Sequence, residues 1–132
     1  MARRAVLVLL LGLVSSACYV STDYDRYPEG KLVSDAELVQ VWSGAGAELS
    51  LRGDDTFSAS ALPLEYFECG SEGMRKKSGQ GTWSTITGGG ATYVLLRFED
   101  DCAGTLWAGV SEGDETVLWA SEAQDRDPLI LR

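Results

Sequence analysis

The chain has 132 residues, 20 acidic against 11 basic and no histidine, for a formal charge of −9. That length suits one domain with a modest core. The acidity opposes binding to nucleic acid or bare anionic lipid, and the missing imidazole rules out Ser-His and Cys-His nucleophiles and histidine-ligated metal.

The first element is an export leader over residues 1–17. Arg3 and Arg4 give a positive start, Ala5 to Val14 run apolar, and Ser15-Ser16-Ala17 supply small side chains before Cys18. Ten such residues fall short of the roughly 20 a membrane-crossing helix requires, and the run follows Arg3-Arg4 too closely for twin-arginine export. Cleavage is expected between Ala17 and Cys18, which leaves 115 residues and, without Arg3 and Arg4, a formal charge of −11. The segment resembles a bacterial lipoprotein signal, in which the cysteine becomes the lipid-modified N-terminus, although Ser15 stands where that pattern usually places Leu. The resemblance implies lipid attachment at Cys18 and an extracytoplasmic domain held at the cell membrane, since two acyl chains anchor stably where one does not. The alternative is a secreted protein with a spare thiol at Cys18.

With Cys18 acylated, Cys69 and Cys102 can form only one disulfide. Closing a loop of about 34 residues stabilises the fold by roughly 3–4 kcal/mol in the chain-entropy model.

Residues 18–33 contain Pro28 and Gly30 and show neither strand nor helix periodicity, so they are read as the lipidated N-terminus and a flexible tether. The domain is placed over 34–132. Ser34 with Glu37 forms a capping-box pattern and predicts one helical turn. Alternation then runs through Leu38 to Trp42, Ser43 to Gly46 turns the chain, and Ala47, Leu49 and Leu51 face one side. Gly53-Asp54-Asp55 turns into Thr56 to Ala61, the clearest hairpin. Four glycines without apolar pattern make 70–81 the longest expected loop of the domain. Strands are expected from Gly81 to Ile86, Tyr93 to Phe98, Thr105 to Val110, Glu115 to Ala120 and Leu129 to Leu131, with a glycine hairpin at Thr87 to Gly90 and a polar run from Glu122 to Asp127.

Seven or eight short strands with hairpin connections predict an all-β domain, a small antiparallel up-and-down barrel or curved meander with one short N-terminal helical turn. A two-sheet sandwich is the rival. Closure is preferred because it removes exposed strand edges.

Trp42, Trp83, Trp107 and Trp119 recur in similar settings without a fixed repeat. They are read as core or as the lining of a pocket for an apolar ligand. Leu38 to Gly44, the Leu49 to Phe57 hairpin and Gly79-Gln80-Gly81-Thr82-Trp83 resemble small actinobacterial lipoproteins of uncharacterised role and, more distantly, lipocalin-like barrels. The lipocalin glycine two residues before the first-strand Trp is Gln40 here, and no functional residue carries over.

The acidic pairs Asp54-Asp55, Asp100-Asp101 and Asp125 with Asp127 lie in turns, where Asp bonds its own backbone. Calcium binding or a two-carboxylate hydrolase is the alternative for them. Arg75-Lys76-Lys77 is the one basic cluster, expected in the loop as a solvated group or a contact for anionic lipid or wall polymer. No catalytic residue, cofactor or metal site is expected. The leading expectation is a membrane-anchored lipoprotein with a binding or structural role in the cell envelope, partnered by the membrane, an envelope protein or a lipophilic ligand, and not by nucleic acid. The alternatives are a ligand carrier with a Trp-lined barrel and an acid-pair hydrolase.

Overall fold

The computed structural model describes residues 27–67, 76–111, 113–121 and 127–132. The expected leader, Cys18, the tether as far as residue 26, Cys69, residues 70–75 of the expected loop, and Asp125 lie outside the described residues.

Eight strands follow one another around a single sheet in chain order: β2 (Val41–Gly44), β3 (Ala47–Leu51), β4 (Thr56–Pro63), β5 (Lys76–Gly88), β6 (Ala91–Phe98), β7 (Ala103–Val110), β8 (Thr116–Ala120) and β9 (Leu129–Leu131). Each neighbouring pair is antiparallel. The last strand returns to the first, where Ser43 donates to the Arg132 carbonyl at 2.9 Å and Arg132 donates to the Ser43 carbonyl at 2.7 Å. The result is a nearly closed all-β barrel, and the sandwich alternative falls away.

The strands form because apolar residues alternate with polar ones and because the connections carry turn chemistry. Ala47, Leu49 and Leu51 are buried, with exposed Glu48 between the first two. Gly88 pairs with Ala91 around Gly89 (φ 60) and Gly90 (φ 80), the two positive values that a tight hairpin needs. The core fills the barrel axis with fully buried Leu49, Leu51, Phe57, Val94, Leu106 and Leu118, among others. Phe57 meets Phe98 edge-on at 5.0 Å.

Both ends are closed by short segments. Ser34 caps α1 (Asp35–Leu38) by accepting from the Glu37 amide at 3.3 Å, as the capping box predicts. The helix drops Leu38 into the end where β2 begins. At the opposite end a 3-10 turn, Leu64–Tyr66, leads into buried Phe67, and the Tyr66 hydroxyl donates to the Asp127 carbonyl at 2.9 Å.

Two sequence-based expectations are corrected. The end of the expected tether is part of the wall: β1 (Glu29–Gly30) pairs with β7 through Gly30 and Gly109. Lys31 donates to the Ala108 carbonyl at 3.2 Å and accepts from the Thr92 amide at 3.0 Å, so this segment enters between β6 and β7. The entry is tight, since a Cβ on Gly30 would stand 2.9 Å from that of Ala91, and one on Gly109 would stand 2.8 Å from that of Pro28. Val33 follows into the core, its amide donating at 2.9 Å to the hydroxyl of buried Thr92.

The second correction concerns the loop expected over 70–81, because β5 begins at Lys76. The polar, glycine-rich run has little strand propensity of its own and is held by its partner. Pro63 pairs with Lys76 and Leu62 with Lys77 across a register shift. There Ala61 takes φ 58 and donates to the Ser78 hydroxyl at 2.9 Å.

Candidate functional site

The four tryptophans divide between the two faces of the sheet. Trp42 and Trp83 point inward, 1% and 4% exposed, and their indole N–H groups donate to the carbonyls of Leu38 at 3.0 Å and Arg52 at 2.8 Å. They pack the core and stitch it to the loops at one end. Trp107 and Trp119 point outward, because their neighbours Leu106, Ala108, Leu118 and Ala120 take the inward positions. A single Trp-lined chamber over all four residues is therefore not what the barrel builds.

On the outside, register assembles a row that no single strand reveals. Ile86 pairs with Tyr93, Tyr93 with Trp107, Trp107 with Trp119, and Trp119 with Ile130. Directly opposed residues share a face, so these five side chains form a continuous apolar stripe across β5 to β9. Tyr93 meets Trp107 edge-on at 5.7 Å, and Trp107 meets Trp119 edge-on at 4.6 Å. Tyr27 stacks on Trp119 at 5.5 Å and Trp119 is 6% exposed, whereas Trp107 and Ile86 are 43% and 53% exposed. The Trp119 indole N–H is buried without a hydrogen-bond partner among the described residues.

Beside the row, on the side away from β1, the wall carries Ser84, Leu95 and Thr105 in register, without charge. They line a half-open pocket of about 360 Å³ together with Tyr66, Thr82 and Arg97. That volume lies at the lower end of the small-molecule range.

The acidic turns are accounted for by their own backbone. Asp54 accepts from the Thr56 hydroxyl and from its amide at 3.1 Å, and these bonds hold its carboxyl below the usual 3.8. Asp100 accepts from the Lys77 ammonium and from the Cys102 amide at 3.1 Å, and its carboxyl is likewise held low. Lys77 thus leaves the expected solvated basic cluster. It pairs with Asp100 and lies over the Phe98 ring, 5.1 Å from its centre. Arg97 reaches Asp101 at 3.7 Å, both exposed. Among the described residues no three His, Cys, Asp or Glu side chains gather as metal ligands would. Cys102 is buried in the core.

Sequence reasoning singled out Trp107 and Trp119 but missed Ile86, Tyr93 and Ile130. These three sit at outward positions within alternating runs, a signal present in the chain, but their alignment across five strands depends on register. No family model, curated protein or solved structure matches this chain.

Proposed function

We propose that the chain is an exported lipoprotein, fastened through Cys18 to the outer face of the cell membrane, whose barrel serves a binding or structural role in the envelope through its outer wall. The single observation that carries the second half of this reading is the filled axis of the barrel. With Trp42, Phe57, Leu49, Leu96 and Leu118 buried along it, what the domain contacts meets the wall or the ends. The first half rests on the leader pattern, with eight residues separating Cys18 from Tyr27. The apolar-inside, largely polar-outside alternation is the reverse of a barrel that faces lipid all round.

A bridge between Cys69 and Cys102 belongs to the same reading, supported by the burial of Cys102 in the core. The likeness to actinobacterial lipoproteins and to lipocalins is kept at the same level, as a resemblance in the opening helical turn and first hairpin.

Metabolic labelling with an alkyne fatty acid, followed by detergent-phase partitioning, tests the anchor. Wild type should carry label and enter the detergent phase, and Cys18→Ala should do neither. A chain released to the medium with unmodified Cys18 would refute the anchor.

A further inference from the structure

The outer aromatic row needs an occupant, and the chain leading to it indicates which. Tyr27, the first described residue, stacks on Trp119 at one end of the row. Cys18 lies nine residues earlier, a span of at most about 30 Å of extended chain. The chain that leads to Cys18 thus leaves the described barrel at Tyr27, on the wall whose exposed apolar side chains are Trp107 and Ile86. Tyr and Trp are the residues that favour the headgroup layer, where the ring is shielded and the polar tip stays wet. The neighbouring wall positions Leu95 and Thr105 are uncharged, so approach to a bilayer buries no charge there.

We propose that Tyr27, Ile86, Tyr93, Trp107, Trp119 and Ile130 form a seat that rests in the headgroup layer of a zwitterionic membrane, laying the barrel on its side against the bilayer. The proposal deepens the lipoprotein reading and rests on a tether at Cys18. The occupant is a lipid surface and not a second copy of the chain, because the described chain ends against this wall with the proposed anchor only nine positions beyond it. The formal charge of −11 after cleavage disfavours an anionic surface, so the contact depends on aromatic insertion and not on charge attraction.

The test uses the full chain, produced with its leader in a lipidating bacterial host and reconstituted into phosphatidylcholine vesicles. Lipids brominated near the headgroup should quench part of the tryptophan emission more strongly than lipids brominated near the chain ends. Trp107→Ser should lose most of that quenching, and Ile86→Ser should weaken it, while circular dichroism and partitioning stay unchanged. Ile86 is 53% exposed and Trp107 43%, and Trp107 also packs on Tyr93 and Trp119, so a melting curve for each variant accompanies the quenching and Ile86→Ser, which removes no ring contact, carries the test should Trp107→Ser lose its fold. Intact mass read in parallel reports the anchor separately. If no acyl mass is found, the same chain coupled through the Cys18 thiol to a maleimide lipid repeats the quenching measurement. A tethered chain whose emission is unquenched overturns the seat. So does light scattering that shows a dimer dissolved by Trp107→Ser, or a crosslink from Ile86→Cys to an envelope protein without quenching.

Discussion

Replacing Gly44 by Ala tests whether the barrel closes between its first and last strands. A Cβ at this position would stand 2.1 Å from the Ile130 carbonyl oxygen and 3.1 Å from its carbon. Side-chain carbons do not approach other atoms within about 3 Å, so β9 must retreat by roughly 1 Å, and the obstacle is backbone that cannot rotate away. That retreat breaks the reciprocal pair between Ser43 and Arg132. Two such hydrogen bonds are worth about 1–3 kcal/mol together. Opening the seam over Leu129 and Leu131, both buried, adds about 1 kcal/mol more. Against this, the loss of glycine freedom in the unfolded chain returns about 0.4–1 kcal/mol. The expected net cost is about 1–3 kcal/mol, which should lower the urea midpoint by about 1 M when unfolding is followed by tryptophan emission. Gly53→Ala is the control, since a Cβ added there would meet nothing within 4 Å and the backbone is unstrained. Equal midpoints for the two variants would refute the closed seam.

Leu38→Ala removes the plug from one end of the core and should cost about 2–5 kcal/mol, read as a fall in melting temperature. Thr92→Val leaves the buried Val33 amide without its acceptor. It should cost about 1–3 kcal/mol and accelerate hydrogen exchange over residues 29–33, because the entry of the chain into the wall hangs on that hydroxyl. Asp54 and Asp100 have folded values below the usual 3.8, so the unfolded state binds more protons in that range. Their contribution is present above about pH 3.8 and disappears as pH falls through the lower folded values. The urea midpoint should therefore drop on acidification, and less steeply in Asp100→Asn. Parallel curves for wild type and variant would show that the Lys77 pair does not matter to stability.

Much of this architecture is legible in the chain. Ser34 with Glu37 announces the helical turn, Gly53-Asp54-Asp55 and Gly89-Gly90 announce hairpins, and Ala47, Leu49 and Leu51 announce an inward face. What escapes is decided by pairing between distant segments. Lys76 to Gly81 has the composition of a loop and becomes strand because β4 pairs along it, with β6 joining on the other side only from Gly81. Residues 27–31 have the composition of a tether, and only the side-chain-free surfaces of Gly30 and Gly109 let them enter the wall. For the tryptophans, parity alone separates Trp107 and Trp119 from Trp42 and Trp83. The similar Leu-Trp-Ala settings of Trp107 and Trp119 conceal which face each strand turns inward until its neighbours are fixed.

The entry point of the chain also explains why the aromatic row lies where it does. Pairing between β6 and β7 extends from Arg97 with Ala103 to Tyr93 with Trp107 and then gives way to the inserted segment. Lys31 bridges the Ala108 carbonyl and the Thr92 amide immediately beyond that pair. Tyr93 and Trp107 therefore stand at the crotch of a fork whose inner prong is the N-terminal chain. The large rings shield the outer side of a junction where two strands must part by the width of a third. A barrel held through residues upstream of Tyr27 would be held at this fork, where Glu29 pairs with Val110, the last residue of β7. Under the proposed anchor and seat, the pull and the apolar face would act on the same strands, and a contact made by Trp107 would steady the segment that leads to Cys18.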